Sequence, residues 1–159
     1  MHRRVRNPPQ SRRGFSLVEL AFVTVIIAIT CAIVLPHWSG SIQNYQLTLA
    51  ARRVASDLAW AQASANGNSA SVTVTFDVTG GTYQLSGVSD PDHTGQNYTV
   101  DLTADPYRVT LASASFGNAT SITFNGYGIP GQGGSVVVSS GTVQRTVSLD
   151  AATGQITIQ

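Results

Sequence analysis

From Phe15 to Leu35 the chain runs for 21 residues with a single charged side chain, Glu19. No other feature restricts the fold as strongly. As a helix this run spans about 31 Å, close to the hydrocarbon thickness of a bilayer. Arg3, Arg4, Arg6, Arg12 and Arg13 all precede it, with no acid among them. The positive-inside rule then keeps the N-terminus in the cytoplasm and sends everything after Pro36 across the membrane. The run ends in Leu35, Pro36, His37 and Trp38, which offers no small-x-small site for a secretory signal peptidase. Ile29 and Thr30 stand before Cys31, where a lipoprotein signal would carry small residues. A plain anchor leaves Glu19 unexplained, because a carboxylate in an apolar helix costs a few kcal/mol and asks for a partner.

The charge balance divides at the same place. The formal net charge is +1, but residues 15–159 hold four arginines against eight acids, a side-chain charge of −4, and there is no lysine. An acidic body argues against a bulk nucleic-acid binder. With 42% hydrophobic residues the chain can bury a core, which excludes general disorder. Cys31 is the only cysteine, so a disulfide framework and a cysteine-based zinc site are excluded.

Beyond the apolar run the helical period continues. Leu47, Ala50, Ala51, Val54, Leu58, Ala61 and Ala65 recur at three- and four-residue steps and form one stripe, expected to pack on the chain's own sheet. Arg52, Arg53, Asp57 and Gln62 are assigned to the outer faces. Asn66 and Gly67 are the expected C-terminal cap, Pro36 the expected helix kink, and Trp38 an interfacial anchor. After Gly67 the period changes to two. Strands are expected over 72–78, around Tyr83 and Leu85, and over 98–102, 107–111, 122–124, 136–138, 143–149 and 156–158, with a polar loop from Ser86 to about Asn97. The expected class is α+β, a long N-terminal helix packed on antiparallel sheets.

Arg12-Arg13-Gly14-Phe15-Ser16-Leu17-Val18-Glu19 resembles the processing motif of type IV prepilins and type II secretion pseudopilins. The resemblance implies a pilin-like fold and cleavage between Gly14 and Phe15 by a membrane prepilin peptidase, which also N-methylates Phe15. The helix-kinking proline usual in that family falls on Pro36. Glycine suits the cleavage position, because its bare backbone can enter a narrow protease cleft. Glu19 would then approach the new N-terminal ammonium of a neighbouring subunit and fix the axial register between subunits. Four segments follow: a cleaved basic leader over 1–14, a transmembrane and filament-core helix over 15–35, its amphipathic continuation over 36–66, and an extracytoplasmic β-rich domain over 67–159.

Ile122-Thr123-Phe124, Gly128 and the closing Thr153-Gly154-Gln155-Ile156 resemble the GspH/FimT branch of minor pseudopilins and minor pilins, as does the alanine-rich helix end from Leu58 to Ala65. The cysteine pair usual near the C-terminus of major pilins is missing, and no calcium loop of the major-pseudopilin kind is evident. The resemblance implies a minor pseudopilin of a type II secretion system, held in the bacterial inner membrane. Its partners would be the peptidase, other pseudopilins or pilins, and secreted cargo. A FimT-like minor pilin serving adhesion, motility or DNA uptake is the alternative. A membrane-anchored binding domain that never polymerises is more distant.

Enzyme chemistry finds no support. His2, His37 and His93 are scattered, and no nucleophile elbow, phosphate loop or zinc-protease helix occurs. Asp90, Asp92 and His93 stand close together, with Asp101 and Asp105 beyond, but an Asp-Pro-Asp loop reads as a solvated turn. No metal or cofactor is assigned. The glycines at 131, 133 and 134 read as a hairpin connection. Nucleic acid is not an expected partner: Arg52, Arg53, Arg108 and Arg145 are the only cations after the leader, and residues 154–159 carry none.

Overall fold

The structure, a computed structural model, describes residues 14–90, 93 and 95–159, with 33–40 described by their backbone alone. Two compact units emerge, Met1–Ser39 and Gly40–Gln159. Helix α1, Leu17–Asn68, is 52 residues long and runs through both. Its first bond links the Leu20 N–H to the Ser16 carbonyl at 3.1 Å. Pro36 lies within α1, and its side chain, like that of Trp38, is outside the described residues. The leader arginines and Asp92 also lie outside them.

In the second unit α1 is followed by β1 (Val72–Asp77), β2 (Thr82–Ser89), β3 (Asn97–Asp101), β4 (Thr110–Phe116), β5 (Ser121–Phe124), β6 (Gly134–Ser140), β7 (Val143–Leu149) and β8 (Ile156–Ile158). They form two antiparallel four-stranded sheets, ordered β3-β2-β1-β5 and β4-β6-β7-β8. Register follows the apolar alternation. Val74 stands between Leu85 and Ile122, and Val136 between Ala114 and Val147, all turned inward. One core joins these residues to the helix. Leu47, Ala50, Ala51, Val54, Leu58, Ala61 and Ala65 are all essentially inaccessible, so the whole stripe faces the sheets.

Local differences from the sequence reading have identifiable causes. The helix runs past Gly67, and its left-handed terminal residue is Ser69, at φ 51°. The Ala70 N–H returns to the Ala65 carbonyl at 3.2 Å, closing the last turn from there. Strand β2 extends through Gly87, whose φ of 94° permits the register shift between Leu85 and Ser89. The strand expected at 107–111 begins instead at Thr110 and continues to Phe116. Before it, Asp101 Oδ1 accepts the Thr103 N–H at 2.7 Å, and Arg108, at φ 49°, closes a turn on the Ala104 carbonyl. The small Ala112–Ser115 stretch carries little strand propensity of its own and is held by pairing with β6.

Candidate functional site

Gly14 and Phe15 lie just ahead of α1 in irregular backbone, and both are exposed. Among the described residues, nothing approaches within 4 Å of the place where a Gly14 side chain would begin. Glu19 follows in the first turn, where the helix dipole favours a carboxylate. It has no ion-pair partner among the described residues.

Every residue from 14 to 32 is exposed, including Leu17, Phe22, Ile26 and Ile29. The two threonines of this stretch satisfy themselves. Thr24 Oγ1 donates to the Ala21 carbonyl at 2.8 Å, and Thr30 Oγ1 reaches the Ile26 and Ile27 carbonyls at 2.8 and 2.9 Å. The surface is therefore apolar apart from Ser16 and Glu19. A span was expected over 15–35, but among the described residues no helix is long and apolar enough to cross a membrane.

Where α1 meets the sheets, one buried polar cluster stands out, and the sequence reading missed it. Asp57, assigned to an outer face, is only 6% exposed. Its Oδ2 accepts from the Tyr83 hydroxyl at 2.5 Å and from Arg53 Nε at 3.0 Å, with the Tyr98 hydroxyl at 3.4 Å. Arg53 also donates to the Tyr98 hydroxyl and lies over that ring at 5.7 Å, while Trp60 meets the ring edge-on. Burial pushes the Asp57 carboxyl above its ordinary value, against the opposing pull of Tyr83 and Arg53. The Tyr83 hydroxyl is pushed up by burial and by the carboxylate beside it. The cluster binds α1 to β2 and β3. The missed signal was spacing: position 57 follows Val54 by three and precedes Ala61 by four, which places it on the inward stripe.

The remaining candidates stay apart. Asp90 Oδ2 meets His93 Nδ1 at 3.2 Å, and no group of three metal-binding side chains occurs among the described residues. Asp101 and Asp150 each cap the backbone of their own turns. Arg53 and Arg108 are held by Asp57 and Asp105. The glycines at 131 and 133 lie in the connection from β5 to β6, and Gly134 opens β6.

A free apolar helix segment, a second segment sealed onto antiparallel sheets, and an open glycine junction ahead of both define a pilin-like subunit. The model of the type II transport protein GspH matches residues 50–153, and that of the prokaryotic N-terminal methylation motif matches residues 9–35. The chain belongs to the GspH family. Its fold is similar to that of the type IV minor pilin FimU of Pseudomonas aeruginosa, with a TM-score of 0.51 at 15% identity, over 73% of this chain and 90% of that one. No curated protein sequence matches the chain.

Proposed function

We propose that the chain is a minor pseudopilin of a type II secretion system, an assembly subunit and not an enzyme. It is cleaved after Gly14, methylated at Phe15, and anchored by the apolar half of α1 in the inner membrane with its N-terminus cytoplasmic. From there the helix moves into the pseudopilus, exchanging lipid for neighbouring helices. One observation carries this reading: an exposed Gly14–Phe15 junction stands directly before a helix segment exposed on all sides, with Glu19 in its first turn. The β domain faces outward toward other minor subunits or secreted cargo.

Co-expression with a prepilin peptidase tests it by mass. The expected product lacks residues 1–14 and carries one added methyl; an unshifted mass overturns the proposal. The likeness in fold to a type IV minor pilin favours a second reading, a FimT-like minor pilin. Deleting the gene separates the two: loss of protein secretion with piliation intact supports the first, and the reverse supports the second.

A further inference from the structure

The sheet β4-β6-β7-β8 ends in an open edge. Among the described residues, strand β8 pairs only with β7. Thr146 and Gln159 exchange backbone bonds of 3.0 and 2.9 Å, and the Asp150 N–H donates to the Gln155 carbonyl at 3.0 Å. That phase turns the peptide groups of Gln155, Thr157 and Gln159 toward β7, and those of Ile156 and Ile158 toward the open side.

Beside this edge runs a flank of α1. Arg52, Ala55, Ser56 and Ala59 line a groove of about 350 Å³ together with Ile156 and Ile158. Arg52 is exposed and makes no ion pair among the described residues, and no acid lines the groove. Dimensions agree along its length. Helix rise from Arg52 to Ala59 covers about 10 Å, as do three residues of extended strand.

We propose that this groove receives one extended, acid-bearing segment of another pilin-like subunit, added as a strand to the open edge of β8 with its carboxylate on Arg52. The proposal rests on the assembly reading above. A strand fits where a helix does not, because a helix has already used its N–H and C=O groups internally and cannot answer those of Ile156 and Ile158. The short side chains of Ala55, Ser56 and Ala59 leave room for the inward residues of such a strand. An acid is required because Arg52 is the groove's only charge. A second copy of this chain is the poorer occupant: two β8 edges brought together would place two arginines at one seam with no carboxylate from either groove.

The test places a photocrosslinking benzoylphenylalanine at position 157 of the full chain, exposed on β8 and outside the groove lining, expressed with the other pilin-like subunits and the peptidase. A separate chain carries it at position 22, on the apolar helix, and reports assembly independently of the groove. The expected crosslink from position 157 maps by mass spectrometry to an extended segment of another subunit, with Asp or Glu within two residues. Ile158→Pro removes only an outward N–H and should reduce the yield about fivefold. Arg52→Glu changes an exposed side chain, leaves the fold intact, and should reduce it by a similar factor of about five. If Ile158→Pro lowers the melting temperature, Arg52→Glu decides. Crosslinks to a helix, a lipid or a second copy, or yields unaffected by Arg52→Glu, overturn the groove proposal. Crosslinks from position 22 with none from position 157 overturn it while assembly stands. Silence at both positions removes the assembly reading and this proposal with it.

Discussion

Helix α1 contains two segments with opposite relations to their surroundings. From Leu17 to Ala32 every side chain is exposed, whereas from Leu47 to Ala65 one full stripe is inaccessible. The difference lies in which positions are apolar. In the first segment large aliphatic residues surround the axis, so no single face could satisfy them by packing on one domain. In the second they keep to one stripe, and alanines at 50, 51, 61 and 65 let the sheets approach closely. The second segment is completed by its own chain. The first is left uncovered by the described residues of its own chain.

Five substitutions and one titration can break or sharpen this contrast. Glu19→Ala should remove the subunit from the filament, lowering incorporation on the order of tenfold or more while the thermal unfolding of the β domain is unchanged. Incorporation at the normal level would show that Glu19 plays no part in register. Leu58→Ala should destabilise the domain by about 2–5 kcal/mol in a denaturant titration, and the same deletion at Leu20 should leave that transition within about 0.5 kcal/mol. Equal losses at both positions would erase the distinction between the segments. Tyr83→Phe takes the shortest donor from Asp57 and should cost about 1–3 kcal/mol. Gly128, at φ 74° with the Gln62 carbonyl 3.1 Å from where a side chain would begin, should lose about 1–2 kcal/mol as alanine.

The smallest effect concerns pH. Burial raises the Asp57 carboxyl above its ordinary value of 3.8, so the native state holds that proton more tightly than the unfolded chain. This group's contribution to stability therefore falls as pH rises from about 3.8 through its native value. Asp101, Asp105 and Asp150 are shifted downward, by hydrogen bonds from Thr103, Arg108 and Thr153 respectively, and act in the opposite sense. The melting-temperature difference between the wild type and Asp57→Asn removes that background. It should become less favourable to the wild type between pH 4 and pH 7; a change in the other direction would mean that Arg53 and Tyr83 outweigh burial.

Much of this was legible in the sequence because the signals were periodic. The inward stripe from Leu47 to Ala65 follows from helical spacing, and β1 and β7 follow from alternation and glycine turns. Strand β4 was placed too early, since its Ala-Ser-Ala-Ser run has no propensity signal and takes its conformation from Val136 to Val138 opposite. Gly67 drew the helix cap to itself on composition, although Ser69 takes the left-handed position. Asp57 was misplaced for a more general reason. A charged residue on an apolar stripe is assigned outward until its partners are known, and those partners, Tyr83 and Tyr98, come from strands 26 and 41 residues away. The N-terminal methylation motif that matches residues 9–35 was legible because a fixed local pattern of residues carries it.

The threonines of the exposed segment have one more consequence. Thr24 and Thr30 return their hydroxyl hydrogens to carbonyls of their own helix, so neither asks anything of its environment. A segment of this kind is nearly indifferent to which apolar medium surrounds it. Lipid tails and the aliphatic side chains of other subunits would solvate it almost equally well, and passage between them would meet little thermodynamic resistance along most of its length. In the proposed assembly, any preference for one destination would fall to the one group of the segment that is not indifferent, the carboxylate of Glu19.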